Sequence, residues 1–311
     1  MHTEPDNCTV RAIPNADLHR AVAALLPPAQ ASPDQINRHV QALRVYEELT
    51  SVLGTAHFGA YRGSSLMAAT LCFDHPGRTG LVFLPFVEDR DAIVPVVEDL
   101  LEAQSAAAAR RGLALLQVIL EPGHPATEAL AQRAGYQFLA DLLYQECPVT
   151  LPAPGDTTGL QWLPYSPQTE GLFIQTIQQT YRDSQDCPLL IGRRQPGDVL
   201  EGHRGASHLD TRHWGLATQM GRPVAVLLLA RSPKQDTAEV VYMGVVAQAR
   251  RRSLGHAVLN RANQIAAQTG ARAITLAVDA ANTPARNLYR AVGFTTHTRR
   301  RAWVKFTQTS P

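Results

Sequence analysis

The sequence predicts an α/β (α+β) protein assembled from one module used twice. Three observations carry this reading. Strand-like apolar runs alternate with helical patterns along the whole chain. The order found in the first half returns in the second. Between the halves, Pro148, Pro152, Pro154, Pro164 and Pro167 flank a Gly-Asp-Thr-Thr-Gly stretch, which reads as a linker and places the boundary near 150–158.

Residues 31–53 start with Ser32-Pro33, a cap followed by proline at the first helical position. Ile36, Val40, Leu43, Leu49 and Val52 then recur at helical spacing up to Gly54. Strand-like runs follow at 57–61, 65–73 and 80–87. A helix over about 91–109 leads through Gly112 into the apolar run 113–120. A second helix, about 125–134, stops at Gly135 ahead of a strand at 136–145. In the second half a helix spans 168–183, and an irregular stretch rich in Gly, Arg and His covers 184–211. Strands follow at 214–219, 223–230 and 239–246, then a helix at 254–268 and a strand at 273–279. A helix at 283–291, stopped by Gly293, and a last strand near 296–306 complete the order. With the halves offset by 158 residues, Gly112 falls on Gly270, Leu130 on Leu288, and Gly135-Tyr136 on Gly293-Phe294. Duplication explains these coincidences together with the shared element order.

The 311 residues carry 29 Lys+Arg against 27 Asp+Glu, a formal net charge of +2, and 45% are hydrophobic. That mix is too apolar for a disordered chain. The small net charge argues against an electrostatic binder of nucleic acid or anionic membrane. The total hides a division, however, with 10 basic and 18 acidic residues in 1–158 against 19 and 9 in 159–311. No apolar run approaches the ~20 residues of a membrane span. The start, MHTEPDNCTV, has neither the basic nor the apolar segment of a signal peptide. Cys8, Cys72, Cys147 and Cys187 lack the spacing of a zinc site and the density of a disulfide scaffold. The expectation is a soluble, cytoplasmic protein with no metal.

Chemistry concentrates in two segments. In Glu239–Leu259, an apolar strand runs through a short loop directly into a helix striped by Leu254, Val258, Leu259, Ala262 and Ile265. Backbone N–H groups at such a helix start make an anion site with the dipole. Arg250, Arg251 and Arg252 add charge there, and Ser253 and Gly255 are the small residues that let a phosphate approach. A plain strand–turn–helix with solvated arginines is the competing reading. In Leu276–Phe294, a strand ends at Asp279, Asn282 caps the next helix, and Leu288-Tyr289 precede a Gly-Phe stop.

Together the two segments resemble the GNAT N-acetyltransferase superfamily. Its signatures are (Q/R)-x-x-G-x-(G/A) after the fourth strand and N-x-x-A-x-x-L-Y-x-x-x-G-F in a following helix. Here the first reads Arg250-Arg251-Arg252-Ser253-Leu254-Gly255, with serine at 253 where glycine is usual and Ala247 where proline is common. The second is complete, from Asn282 through Ala285, Leu288 and Tyr289 to Gly293-Phe294. The resemblance implies two tandem modules, 1–150 and 159–311, each a mixed, mostly antiparallel central sheet flanked by helices. It implies acetyl-CoA as co-substrate and a primary amine, of a small molecule or a protein, as acceptor in one ternary complex. The pyrophosphate would then lie on the amides of Arg251, Arg252, Ser253, Leu254, Gly255, His256 and Ala257, with Arg250 and Arg252 as charged partners. The strand Val241–Val245, including Met243 and Gly244, would pair with the pantetheine arm. N–H groups near Gly244-Val245 would polarise the thioester carbonyl. Asn282 would hold the arm, and Tyr289 would protonate the departing thiolate. Glu239 is the candidate base through water; a solvated strand-end carboxylate is the competing reading. The two-module layout is also similar to that of mycothiol synthase, by organisation and not by any acceptor-side residue.

At the same offset, Arg250 maps to Ala92, Ser253 to Pro95, Gly255 to Val97, Asn282 to His124 and Tyr289 to Ala131. The equivalent loop, Glu88-Asp89-Arg90-Asp91, is acidic and free of glycine, so the first module is expected to hold no CoA. It would act as a scaffold; oligomeric state is not readable from the sequence, although pairing of the modules within one chain would allow a monomer. The acceptor side is expected in 181–214, which contains Asp183, Asp186, Cys187, Arg193, Arg194, His203, His208 and Trp214. Asp186 and Glu201 are candidates for an acceptor ammonium, against cap or loop roles. Cys187, ahead of proline, reads as a structural residue more than a nucleophile. His203 and His208 lack a third ligand at metal spacing. The alternative function is a CoA-sensing or protein-interaction module that retains the fold without catalysis.

Overall fold

Ser32 begins the first long helix as its position requires: its Oγ accepts from the N–H of Gln35, and Pro33 occupies the first turn. The computed structural model describes residues 8–50, 55–87, 94–150, 159–207, 210–232 and 236–307. The acidic stretch 88–91 with Ala92, the stop at Gly54, residues 151–158 of the linker and His208 lie outside the described residues.

In chain order the first elements are β1 (Thr9–Ala12), α1 (Leu18–Ala24), α2 (Pro33–Thr50), β2 (Phe58–Arg62), β3 (Ser65–His75), β4 (Thr79–Phe83), α3 (Val94–Arg110), β5 (Leu115–Leu120), α4 (Pro125–Arg133) and β6 (Gln137–Pro148). There follow β7 (Gln161–Pro164), α5 (Glu170–Tyr181), α6 (Pro196–Ala206), β8 (His213–Gln219), β9 (Arg222–Ser232) and β10 (Thr237–Val245). The last are α7 (Leu254–Gln268), β11 (Ala273–Asp279), α8 (Thr283–Val292) and β12 (Thr295–Phe306).

The chain divides into two compact units, Met1–Leu139 with Arg301–Pro311, and Ala140–Arg300. In the first unit the strand order is β1-β2-β3-β4-β5-β12, and in the second it is β6-β11-β10-β9-β8-β7. Both sheets are antiparallel except for one parallel pair each, so the fold is mixed α/β with a mostly antiparallel sheet. The parallel pairs reproduce the duplication residue by residue. Thr79↔Leu115 through Val82↔Val118 become Thr237↔Ala273 through Val240↔Leu276 on adding 158.

The cut at 150 to 159 does not separate these units, because the closing strands are traded. β12 of the second half pairs with β5, Phe306 opposite Leu115, and completes the first unit. β6 of the first half pairs with β11, Pro148 opposite Ala273, and completes the second. Pro148 and Phe306 are again 158 apart, so each edge has received the other module's equivalent strand. The trade also softens the charge contrast. The first unit holds 12 basic and 15 acidic residues, the second 17 and 12.

In the second unit α7 and α8 cover one face of the sheet over Leu143, Leu227, Val240, Val258, Leu276 and their neighbours. On the other face α5 and α6 enclose Phe173, Ile177, Leu200, Trp214, Leu216 and Leu228. Helix α6 falls inside the stretch expected to be irregular. Its sequence, PGDVLEGHRGA, holds three glycines, yet Pro196 opens the helix and Val199 and Leu200 bury its inner side. The short elements β1, α1 and β7 are likewise additions to the sequence reading. Among the described residues no helix is long and apolar enough to cross a membrane.

Candidate active site

Strand β10 shapes the site by losing one neighbour partway along. It pairs with β9 over its whole length, from Thr237↔Ser232 to Val245↔Ala225, with a bulge between Val240 and Tyr242. With β11 it pairs only over Thr237–Val240. Beyond Leu276, β11 continues to Asp279 against β6. From Val241 onward β10 therefore presents a free edge across an opening. The bulge adds local twist, which drives the two parallel strands apart.

The ladder fixes which groups face that opening. Val246 N–H donates to Val224 O at 3.0 Å, so the alternation turns Gly244 toward β9 and Met243 and Val245 toward the free edge. Accordingly, Val245 O is free of β9 and accepts from Arg250 Nε at 3.2 Å. Of the N–H groups near Gly244-Val245, the one that faces the opening is that of Val245. Gly244 answers a different need, since a Cβ there would stand 2.7 Å from Thr180 Cβ of α5.

The free edge runs into the start of α7. Arg251 and Ser253 both adopt the left-handed backbone, at φ 59° and 56°. That conformation explains why glycine is usual at position 253, a constraint stronger than crowding of a ligand. The first protein-bonded amide of the helix is Ala257, donating to Ser253 O at 3.2 Å; those of Leu254, Gly255 and His256 have no partner among the described residues. Three open N–H groups at the positive end of a 15-residue helix make an anion cradle. Leu254 and Ala257 are buried and contribute backbone only, while Arg251, Arg252, Ser253 and His256 are exposed beside the cradle. Arg252 Nη2 donates to Gln219 Oε1 at 2.8 Å.

Two residues of the motif do other work than their type suggested. Gly255 admits a helix: a Cβ there would meet Leu288 Cδ2 of α8 at 2.7 Å. Arg250 spends Nε, Nη1 and Nη2 on the carbonyls of Val245, Asp183 and Thr180, the last at 2.8 Å. It ties the end of α5 to the loop while keeping its charge near the cradle.

On the far side of the opening stands the start of α8. Asn282 Oδ1 accepts from Ala285 N–H at 3.3 Å and caps the helix. Tyr289 is 7% exposed, its ring 5.6 Å from that of Phe294. Burial, with Asp186 adding, holds its phenol well above the usual tyrosine value, so it stays protonated.

Beneath the free edge lies a polar group that the sequence did not reveal. Tyr242 OH and Thr180 Oγ1 are 2.6 Å apart, and the Tyr242 ring meets Tyr181 at 5.9 Å and His203 at 4.9 Å. His203 Nε2 is sealed without a hydrogen-bond partner, and burial, then Arg194, pushes its pKa down to about 3. The bulge that turns Tyr242 inward leaves no mark in residue type.

Glu239 stands on the paired part of β10, opposite Ala230 and Thr275. Its surface is exposed, while crowding around the carboxyl raises its pKa. Of the acceptor-side candidates, Asp183 and Arg193 are exposed, Glu201 pairs with Arg204 at 2.9 Å, and Arg194 donates to Asp198 O. Trp214 is core, with Nε1 donating to Ser207 Oγ. Cys187 is half-buried with a raised thiol pKa from burial, and its N–H donates to Asp279. Among the described residues no group of His, Cys, Asp and Glu is arranged to hold a metal. A groove of about 310 Å³ lined by Trp162, His213 and Arg261 lies along the later half of α7, away from the opening.

In the first unit the corresponding positions hold Val97, fully buried in its core, His124, which heads α4 without capping it, and buried Ala131.

Residues 177–294 match the Acetyltransferase (GNAT) family model, a little over a third of the chain. No curated protein matches the sequence. Among solved structures, a GCN5-related N-acetyltransferase from Sphaerobacter thermophilus is 19% identical with a TM-score of 0.63, over 99% of this chain and 98% of that one. A tandem GNAT protein from the clavulanic acid biosynthesis pathway is 13% identical with a TM-score of 0.52, over 98% and 99%. A glucosamine N-acetyltransferase region of a fungal multi-domain β-N-acetylglucosaminidase is 13% identical with a TM-score of 0.62, over 97% of this chain and 38% of that one. At such identities these likenesses concern the fold. The family segment contains the parted strands, the open helix start and the Asn282–Phe294 helix, and over that segment the chain is similar to the Acetyltransferase (GNAT) family.

Proposed function

We propose that the second unit transfers an acetyl group from acetyl-CoA to a primary amine, directly and within one ternary complex. The observation that carries this is the parting of β10 from β11 beside the unbonded first turn of α7. An extended arm with amides of its own can pair with the free edge at Met243 and Val245, and a pyrophosphate attached to it reaches the open N–H groups of Leu254, Gly255 and His256. Arg251 and Arg252 add charge-assisted contacts at the rim. Asn282 borders the arm at the mouth of the opening. The Val245 N–H polarises the thioester carbonyl as the amine attacks and negative charge gathers on its oxygen. The C–S pair leaves with sulfur, and the Tyr289 phenol supplies the proton. The first unit, with Val97, His124 and Ala131 at the matching positions, holds no donor and serves as support.

Calorimetric titration with acetyl-CoA, followed by thiol release over a panel of amines, tests the reading. Binding with amine-dependent release supports it. Binding without release toward any amine replaces it with a CoA-sensing role, and absence of binding removes both.

A further inference from the structure

We propose that the turn between β8 and β9 seats the nucleotide end of the donor, with Met220 against the adenine and Arg222 on the ribose 3′-phosphate. The assignment rests on the second unit binding acetyl-CoA. The turn is a two-residue loop: Gln219 lies directly opposite Arg222, and Met220 and Gly221 stand between them. Both central residues adopt the left-handed backbone, at φ 49° and 74°. Such a turn suits glycine, asparagine and aspartate, and Gly221 obeys that rule. Met220 does not. A long side chain there carries the Cβ penalty of the left-handed region. It is also 94% exposed, so no burial offsets that cost. Neither the turn nor the core accounts for methionine at this position, whereas the flat face of a ligand does.

The turn stands beside the anion cradle. Gln219 Oε1 accepts from Arg252 Nη2 at 2.8 Å, and Arg252 directly precedes Ser253. Residues directly opposite in a ladder send their side chains to one face, so Arg222 leaves the sheet on the same side as Gln219. Ala217, two residues before Gln219, belongs to the core under α7, so that side is the one α7 covers. Arg222 is exposed and pairs with no carboxylate among the described residues. From β8 to the end of β9, and from Val240 to the end of α7, the sequence has no acidic residue. The turn therefore offers one soft apolar side chain and one open guanidinium in a region without negative charge.

The direction of the ligand follows from the strand order. β10 lies between β11, on the side of the opening, and β9. In the acetyl-CoA reading the pantetheine arm takes the β11 side, and the other end of the pyrophosphate carries the adenosine. That end leaves the cradle toward β9 and β8, where the Arg252–Gln219 bond holds the turn. A thioether packs well against an aromatic ring, and a guanidinium matches a phosphate with paired N–H donors. Arg252, Gln219 and Arg222 then form a polar track from the pyrophosphate to the 3′-phosphate.

Calorimetric titration with three donors tests the assignment: acetyl-CoA, its 3′-dephospho form, and S-acetyl-4′-phosphopantetheine, which lacks the adenosine. Met220→Asn suits the turn, so its melting temperature should equal or exceed the parent's. It should nevertheless bind acetyl-CoA and the dephospho form about 2–10-fold more weakly, and the phosphopantetheine donor as the parent does. Arg222→Gln should weaken acetyl-CoA about 2–5-fold and leave the dephospho form unchanged, so the gap between those two donors narrows. Parent-like binding of acetyl-CoA by both variants overturns the proposal. An equal loss on all three donors also overturns it, because the effect would then lie in the cradle. If the parent binds the three donors alike, the acetyl-CoA reading stands and the assignment alone falls. If the parent binds none of them, the acetyl-CoA reading fails and the assignment with it.

Discussion

Leu288 of α8 occupies the space that a side chain on Gly255 of α7 would need, its Cδ2 2.7 Å from where a Cβ would stand. The glycine of the first motif and the leucine of the second are therefore one packing unit, which is why both must be present for the open helix start to meet the Tyr289 helix. Gly255→Ala should destabilise the protein by about 1–3 kcal/mol through overpacking. Adding Leu288→Ala should recover part of that loss, so the double variant falls short of the sum. Urea unfolding of the four proteins measures it, and strict additivity would separate the two residues.

Ser253 sits at φ 56° with no cap bond from its side chain. Glycine adopts that backbone without the Cβ penalty. Ser253→Gly is expected to raise stability by about 0.5–1 kcal/mol and to leave acetyl-CoA affinity equal or tighter. A drop in melting temperature would show that the hydroxyl has a partner worth more than the strain.

The traded strands set the boundary of any fragment that folds. A fragment of 140–300 contains every strand of the second unit, whereas 159–311 lacks β6 and leaves β11 with an unpaired edge. The first is expected to unfold cooperatively in urea. The second is expected to aggregate or to show no transition, since an unpaired edge invites association. Cooperative unfolding of 159–311 alone would mean that β6 adds little.

Much of this was legible in the sequence. The helix at 254–268 and the strand at 273–279 match α7 and β11 at both ends, because a strong apolar stripe marks the helix and Gly270 parts it from the apolar strand. The strand-loop-helix turn at Arg250–Gly255 and the cap of α8 at Asn282 were read from residue type and stand where they were expected. The strand trade was not legible, because β6 and β12 are equivalents of each other and nothing local says which edge each will take. Gly255 was read as room for a ligand because its neighbour Leu288 is far away in sequence. Arg250 looked like a phosphate partner because a backbone carbonyl has no signature in residue type. The Cys187 N–H that donates to Asp279 joins a loop to a strand end, a juxtaposition that only the fold creates.

Two half-buried histidines predict the response to acid. Burial lowers His203 to about 3 and His57 to about 4, with Arg194 and Arg111 adding respectively. In the unfolded chain both protonate near pH 6.5. Because the native pKa values are depressed, the stability they protect is full above about pH 6.5 and is lost as pH falls toward 4. The urea midpoint should drop between pH 7.5 and 5, and His203→Gln should flatten that slope whatever it does to stability at neutral pH. An unchanged slope would remove His203 from the effect.

Arg250 and the pair Arg251 and Arg252 share a motif but differ in what they hold. Arg250 is partly buried and bonds to three carbonyls, whereas its neighbours are exposed at the cradle rim. Hydrogen bonds from a charged group contribute about 1.5–3 kcal/mol, so Arg250→Ala should lower stability by that order. It should also loosen the end of α5 near Thr180 and Asp183, which amide hydrogen exchange would register. Replacing Arg251 and Arg252 together by alanine should leave the melting temperature within a degree or two. It should weaken acetyl-CoA by several-fold at low salt and by less at high salt, because exposed charges are screened. Titrations at two ionic strengths and thermal melts of both variants separate the two roles. If Arg250→Ala leaves stability unchanged, the carbonyl contacts carry little, and if the double variant binds as tightly as the parent, the amides of α7 hold the phosphates without help from the rim.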